Sequence, residues 1–178
     1  MSLKFITGNK NKLQEVQNLI ADVEQIDIDL AEIQSLDPQE VIAAKLLEAQ
    51  KQYPNQEFIV EDTSLECADL NGLPGPLIKW FLKSLGVKGL AELVGKLENN
   101  QAKAQTMIGY IGTNGDISYF SGELNGIIVM PRGDNGFGWD KIFQLENGKT
   151  LAELSLAEKN KISMRQEAVR QLQDFLEI

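Results

Sequence analysis

Residues 104–129, AQTMIGYIGTNGDISYFSGELNGIIV, decide how the rest of this chain is read. Two runs rich in Ile, Tyr, Phe and Thr flank Thr113-Asn114-Gly115-Asp116. Asn-Gly suits the positive φ angles of a type I′ turn, so the segment predicts a hairpin of two long antiparallel strands. Such a pair does not belong in a regular βαβ repeat, and the sheet that contains it is expected to be mixed.

Upstream, residues 3–7 (LKFIT) read as a buried strand. Residues 12–20 carry Leu13, Val16, Leu19 and Ile20 at amphipathic-helix spacing, and 24–30 (EQIDIDL) alternate as a strand does. Pro38, tolerated in a first helical turn, opens a helix expected to reach about Tyr53. Residues 57–62 (EFIVED) predict a short strand ending in two acids, followed by helices at LIKWFLKSL and GLAELVGKLE. A last helix carries Ala168, Val169, Leu172, Phe175 and Leu176 on one face, with Ser163 and Gln166 spaced as a capping box. The expected class is α/β, a mixed sheet with flanking helices, in a single domain over residues 1–178.

Composition narrows the chemistry. The 178 residues include no histidine, which excludes Ser-His-Asp and Cys-His catalysis and two-histidine zinc motifs. Carboxylates, lysines or a hard metal must do the work. A formal charge of −9 opposes a duplex nucleic-acid surface, though a local lysine cluster can still bind a small anion. The lone Cys67, in LECADL, reads as a small buried hydrophobe. No apolar run approaches the ~20 residues of a membrane span and no signal-peptide core is seen, so a cytoplasmic location is expected.

Four places could carry chemistry. In TGNKNK (7–12) a strand ends, a glycine turns the chain, and lysines flank a helix start, an arrangement that suits a phosphate and equally a plain capped helix. Its spacing is not that of a P-loop. Glu61-Asp62, with Glu32 as a third carboxylate, offer the hard oxygen ligands that Mg²⁺ takes, although acids at strand ends are commonplace. GLPGPLIKWF (72–81) reads as a rigid turn delivering Lys79 at a helix start, or as a structural loop. GDNGFGWDK (133–141), with Lys159 and Arg165 downstream in AEKNKISMR, brings two aromatics and an acid around glycines without matching a dinucleotide fingerprint. Phe137 offers a purine a face to stack on and Asp140 an acceptor for a ring N–H, while Trp139 could instead pack in the core.

Taken in order, TGNKNK, VEDTSL, GLPGPLIKWF, FGWD and AEKNKIS-R resemble the inosine triphosphate pyrophosphatase family, in a form closer to its eukaryotic branch, over nearly the whole chain. The resemblance implies an elongated mixed sheet with flanking helices, two lobes around a central cleft, and a homodimer. It also implies Mg²⁺-dependent hydrolysis of deaminated purine nucleoside triphosphates such as ITP, dITP and XTP to the monophosphate and pyrophosphate, cleansing the nucleotide pool.

Carried over by motif, Thr7, Gly8, Asn9, Lys12, Lys45 and Lys79 serve the phosphates. Glu32 and Asp62 bind the metal or activate water, and Asp62, Lys12 and Glu61 form the catalytic set. Phe137, Gly138, Trp139 and Asp140 line the base pocket, closed by Lys159, Ser163 and Arg165. The family normally reads Ser-His-Arg before its last helix, whereas this chain has Ser163-Met164-Arg165. A thioether cannot donate as an imidazole does, so weaker discrimination among ITP, XTP and GTP is expected. The readings that compete are a degenerate nucleotide-binding or dimeric interaction protein without useful turnover and, more remotely, a dehydrogenase.

Overall fold

The computed structural model describes residues 3–28 and 30–178. Strand β1 (Leu3–Ile6) pairs in parallel with β2 (Val23–Ile26), Leu3 opposite Val23 and Ile6 opposite Ile26, and α1 (Lys10–Gln17) connects them. Helix α2 (Pro38–Gln52) follows, with Pro38 in its first turn and the Asp37 carboxylate accepting from the Gln39 N–H at 2.8 Å. On its other side β1 pairs in parallel with β3 (Phe58–Cys67). The short β4 (Pro74–Gly75) lies antiparallel to β3. Helix α3 (Ile78–Val94) contains Gly86 at φ 69°, ψ 171°, which breaks it into the two helices that the sequence predicts. Strands β5 (Gln101–Ile111) and β6 (Ile117–Ile128) form the hairpin, β7 (Phe143–Gln144) pairs antiparallel with β6, and α4 (Leu156–Ile162) and α5 (Met164–Leu176) close the chain. The strand order is β2-β1-β3-β5-β6-β7, with β4 on β3. The fold is mixed α/β, as expected.

Three expectations are corrected. The hairpin turn is not type I′. Gly115 N–H donates to Gly112 O, Gly112 N–H donates to Asp116 O, and of the Asn114-Gly115 pair only Gly115 has positive φ (86°). That is a three-residue loop with glycine at the left-handed position, stabilised by the Asn114 side chain accepting from the Asp116 N–H at 3.2 Å. The strand expected over 24–30 stops at Ile26, and Asp29 lies outside the described residues. The strand expected to end at Asp62 runs on to Cys67, because Leu65 and Cys67 continue its buried alternation.

The chain divides into two compact units, residues 1–63, 106–122 and 164–178 in the first, and residues 64–105 and 123–163 in the second. In the first unit the sheet carries a core on each face. Ile59, Ile108 and Tyr110 pack with Val16 of α1 and Ala168, Val169 and Leu172 of α5. Phe58, Val60, Met107 and Ile111 pack with Ile42, Leu46 and Ala49 of α2. The helix sits so close to β5 that a Cβ on Gly109 would stand 2.2 Å from Ile42 Cγ2. Because strand side chains alternate, Glu61 takes the Ile59 side and Asp62 the Phe58 and Val60 side.

In the second unit Leu65, Cys67, Leu90, Val94, Ile142, Phe143 and Leu151 are all buried. Cys67 is the buried hydrophobe expected, and burial pushes its thiol up to about 11, far from a reactive thiolate. Among the described residues, no helix is long and apolar enough to cross a membrane.

Candidate active site

In the first unit the β1–α1 junction is built by short polar side chains. Thr7 Oγ1 accepts from the Asn9 N–H at 3.1 Å, and Asn9, the N-cap of α1, accepts from the N–H groups of Asn11 and Lys12 at 3.0 and 3.3 Å. Gly8 has neither a positive φ nor a crowded Cβ position, so the turn itself does not demand a glycine. Capping fixes the first helical turn and with it the root of Lys12.

Lys12 Nζ stands 3.1 Å from Glu61 Oε1. The two Glu61 oxygens are also gripped by Arg165, whose Nε and Nη2 donate at 2.6 and 2.7 Å, and Thr63 Oγ1 donates to Oε1 at 2.8 Å. Arg165 Nη1 in turn bonds Glu15. Glu61, Glu15 and Arg165 are buried. Burial alone would raise Glu61, but the charges of Arg165 and Lys12 outweigh it and hold the carboxyl well below the usual range. Arg165 is raised above its already high value: burial opposes its charge, and Glu61 and Glu15 outweigh that.

Asp62, on the other face, has the opposite electrostatics. Burial raises its carboxyl above the ordinary value, Lys12 and Lys45 pull it down, and Glu61 and Glu32 push it up again. Its Oδ2 is buried and meets no hydrogen-bond donor among the described residues. Lys45 itself pairs with the half-exposed Glu32 at 2.8 Å. A buried, unpartnered carboxylate oxygen with a second carboxylate nearby fits a hard divalent cation. The described residues hold no group of three or more potential metal ligands of His, Cys, Asp or Glu, so a cation here would take at most Glu32 and Asp62 from the chain and complete its shell with water and phosphate oxygens.

In the second unit, Phe137, Asp140 and Lys159 come together. Asp140 Oδ2 accepts from the Phe137 N–H at 2.9 Å and from Lys159 Nζ at 2.7 Å, and the same ammonium lies 4.7 Å from the centre of the Phe137 ring. Asp140 and Lys159 are both buried. Gly136 is required here: its φ is 75°, and a Cβ would come within 2.2 Å of Asp140 Oδ2. Gly138, at φ 60°, has open space where a side chain would stand.

Trp139 does pack in the core, buried with its ring 5.4 Å from that of Phe143. Lys79 stands in the first turn of α3 with its ammonium 5.8 Å from the Trp80 ring. Ser163 is buried at the end of α4, its N–H donating to Lys159 O at 2.9 Å. In the first unit again, Met164 is buried at the start of α5.

The structure therefore assembles Lys12, Glu61 and Arg165, then Glu32, Lys45 and Asp62, and separately Phe137, Asp140 and Lys159. One partner of the first group, Glu15 on Arg165, escapes the sequence reading. Glu15 follows Lys12 by three residues in α1, a spacing that puts both on one side of the helix, and a glutamate next to the buried Val16 was the available signal. Helix α4 was also missed, although Ser155 and Glu158 form its capping box.

With a mixed α/β fold and lysine-flanked carboxylates in place, comparison with known proteins defines the class. The Ham1 family model matches residues 3–175, and the chain belongs to that family. It is 41% identical to the inosine triphosphate pyrophosphatase of Kluyveromyces lactis, covering 97% of this chain and 94% of that protein. It is 42% identical to that of Schizosaccharomyces pombe, covering 99% and 95%. The solved structure of the Staphylococcus aureus Ham1 protein superposes with a TM-score of 0.84 at 28% identity, covering 98% of both chains.

Proposed function

We propose that this protein hydrolyses deaminated purine nucleoside triphosphates, ITP, dITP and XTP, to the monophosphate and pyrophosphate in a Mg²⁺-dependent reaction. The observation that carries the reading is Asp62, whose buried Oδ2 has no donor among the described residues and whose charge Lys12 and Lys45 both favour. A polyanion and a cation together satisfy that arrangement, and family membership supplies the polyanion. The close relatives' names support the base.

Lys12, still held by Glu61, and Lys45 bind phosphate oxygens, and the highly charged triphosphate strengthens these contacts. Glu32 and Asp62 would hold Mg²⁺, which supplies charge neutralisation on the phosphates and a more acidic water. The water oxygen bonds to the α-phosphorus, the bond from that phosphorus to the α,β-bridging oxygen breaks, and pyrophosphate departs with the electron pair. Asp62 accepts the proton of the attacking water. Glu61 is engaged by Arg165, Lys12 and Thr63, and we assign it to holding Lys12 in place.

In the second unit Phe137 offers its ring to the purine. Lys159 donates to the 6-oxo oxygen, oriented by Asp140. An adenine presents an amino group there, two donors facing an ammonium, and is rejected. We further propose that the chain acts as one domain in the cytoplasm, readings that rest on its length and hydropathy, and as a homodimer, a reading that rests on the resemblance to the family.

The test is turnover of ITP, XTP, GTP and ATP with Mg²⁺, scored as phosphate after added pyrophosphatase. ITP and XTP are expected to be preferred over ATP by about 10²-fold in kcat/KM. Binding of ITP without turnover would favour the nucleotide-binding protein instead.

A further inference from the structure

Arg165 is a costly residue to bury. Transferring a guanidinium out of water is unfavourable even when it is paired, and a well-packed apolar side chain of similar volume is often as stable or better. Its surroundings show what its position achieves. Two carboxylates share it: Glu61 takes Nε and Nη2 as a fork, and Glu15 takes Nη1. Glu61 then holds Lys12 at 3.1 Å. The four side chains alternate in sign, Glu15, Arg165, Glu61, Lys12, and sum to zero charge. Of the four, Lys12 alone is not fully withdrawn from solvent.

The seat of Arg165 is equally defined. Next to it in α5, the carbonyl of Met164 lies so close to β6 that a Cβ on Gly122 would stand 2.1 Å from Met164 O and 2.7 Å from Glu167 Cβ. One strand residue earlier, the Gln171 amide clasps the Ser121 backbone, donating to its carbonyl at 2.8 Å and accepting from its N–H at 3.3 Å. A glycine with no positive φ, placed where nothing larger fits, marks a close approach that fixes where α5 starts.

We infer that Gly122, Glu15 and Arg165 are positioning residues for the phosphate-binding Lys12: Gly122 seats the start of α5, Glu15 and the sheet fix the Arg165 fork, the fork fixes Glu61, and Glu61 aims the ammonium. This deepens the proposed function and rests on it for the role of Lys12. Gly122 is buried against Met164 and Glu167 of α5, so its effect on a ligand is transmitted through that helix.

The test is calorimetric binding of inorganic tripolyphosphate to the full chain, which needs no turnover. Lys12→Ala is expected to weaken it about tenfold, as loss of a charge-assisted contact should. Glu15→Gln and Gly122→Ala, measured well below their melting temperatures, are expected to weaken it about fivefold each and to cause no further loss in the Lys12→Ala background, since residues acting through one another are not additive. If Glu15→Gln does not fold, Glu15→Asp, which keeps the charge and shortens the reach, carries the same comparison with an intermediate loss. Additive losses, unchanged affinity with only a lowered Tm, or a wild-type protein that does not bind tripolyphosphate would each overturn the inference. Tripolyphosphate coupling without hydrolysis of ITP would sustain it and remove the proposed activity instead.

Discussion

Glu61 and Asp62 are consecutive in β3, yet Glu61 is gripped by Arg165 at 2.6 and 2.7 Å while Asp62 Oδ2 meets no donor among the described residues. Strand alternation sends them to opposite faces, and the two faces give them opposite tasks. Glu61→Gln is expected to destabilise the protein by about 3 kcal/mol, because it leaves Arg165 buried with half its counter-charge. Asp62→Asn, which breaks no hydrogen bond to its Oδ2, is expected to keep the fold and lower kcat/KM for ITP by about 10²-fold. Melting curves and kinetics of the two variants check the contrast.

The same two carboxyls set opposite pH dependences. Asp62 lies above its ordinary value, so its burial costs nothing in acid below the ordinary aspartate range, and the cost develops as pH rises through the folded value. Glu61 lies below its ordinary value, so it stabilises above the unfolded glutamate pKa of about 4.3, and that contribution is lost only as strong acid reaches its folded value. Asp62→Asn should therefore raise Tm at neutral pH, with the gain vanishing below about pH 3. A gain that persists in strong acid would contradict the burial cost.

Metal binding reverses that order. A cation that binds only the folded state stabilises it by mass action. Millimolar Mg²⁺ should raise the wild-type Tm and leave that of Asp62→Asn unchanged, and EDTA should abolish hydrolysis until Mg²⁺ is restored. An equal Mg²⁺ response in both proteins would place the metal elsewhere.

Met164 is buried, its carbonyl packed on Gly122. Burial suits an apolar thioether at this position, and Met164→His is expected to lower Tm by several degrees, since it buries a polar ring in its place. Against the weaker discrimination expected from the sequence, burial of Met164 predicts that the ranking of ITP, XTP and GTP does not change in the variant. A sharper ranking in the variant would show that the position reads the base.

Much of the fold was legible because each element announces itself locally: Pro38 at a helix start, the apolar stripe of α5, the Asn-Gly turn. The continuation of β3 was not read, since two adjacent acids look like a strand end facing water. Burial of Glu61 depends on Arg165, 104 residues away, and on Lys12. Partnership across such a distance leaves no pattern in either segment. The Phe137, Asp140 and Lys159 group was legible as residues but not as an arrangement, because nothing in FGWD tells that Asp140 spends one oxygen on both Lys159 and the Phe137 N–H.

That arrangement makes its own prediction. Asp140→Asn removes the partner of a buried lysine, so Lys159 loses its orientation and the ITP-over-ATP ratio of kcat/KM should fall about tenfold or more, with tripolyphosphate affinity unaltered. An unchanged ratio would remove Lys159 and Asp140 from base recognition.

The central claim is cleavage at the α-phosphorus of a deaminated purine triphosphate, and ³¹P NMR of ITP incubated with the protein and Mg²⁺ tests it directly. IMP and pyrophosphate are expected to grow in together from the first time point with no diphosphate signal. The appearance of IDP and orthophosphate as first products would contradict it.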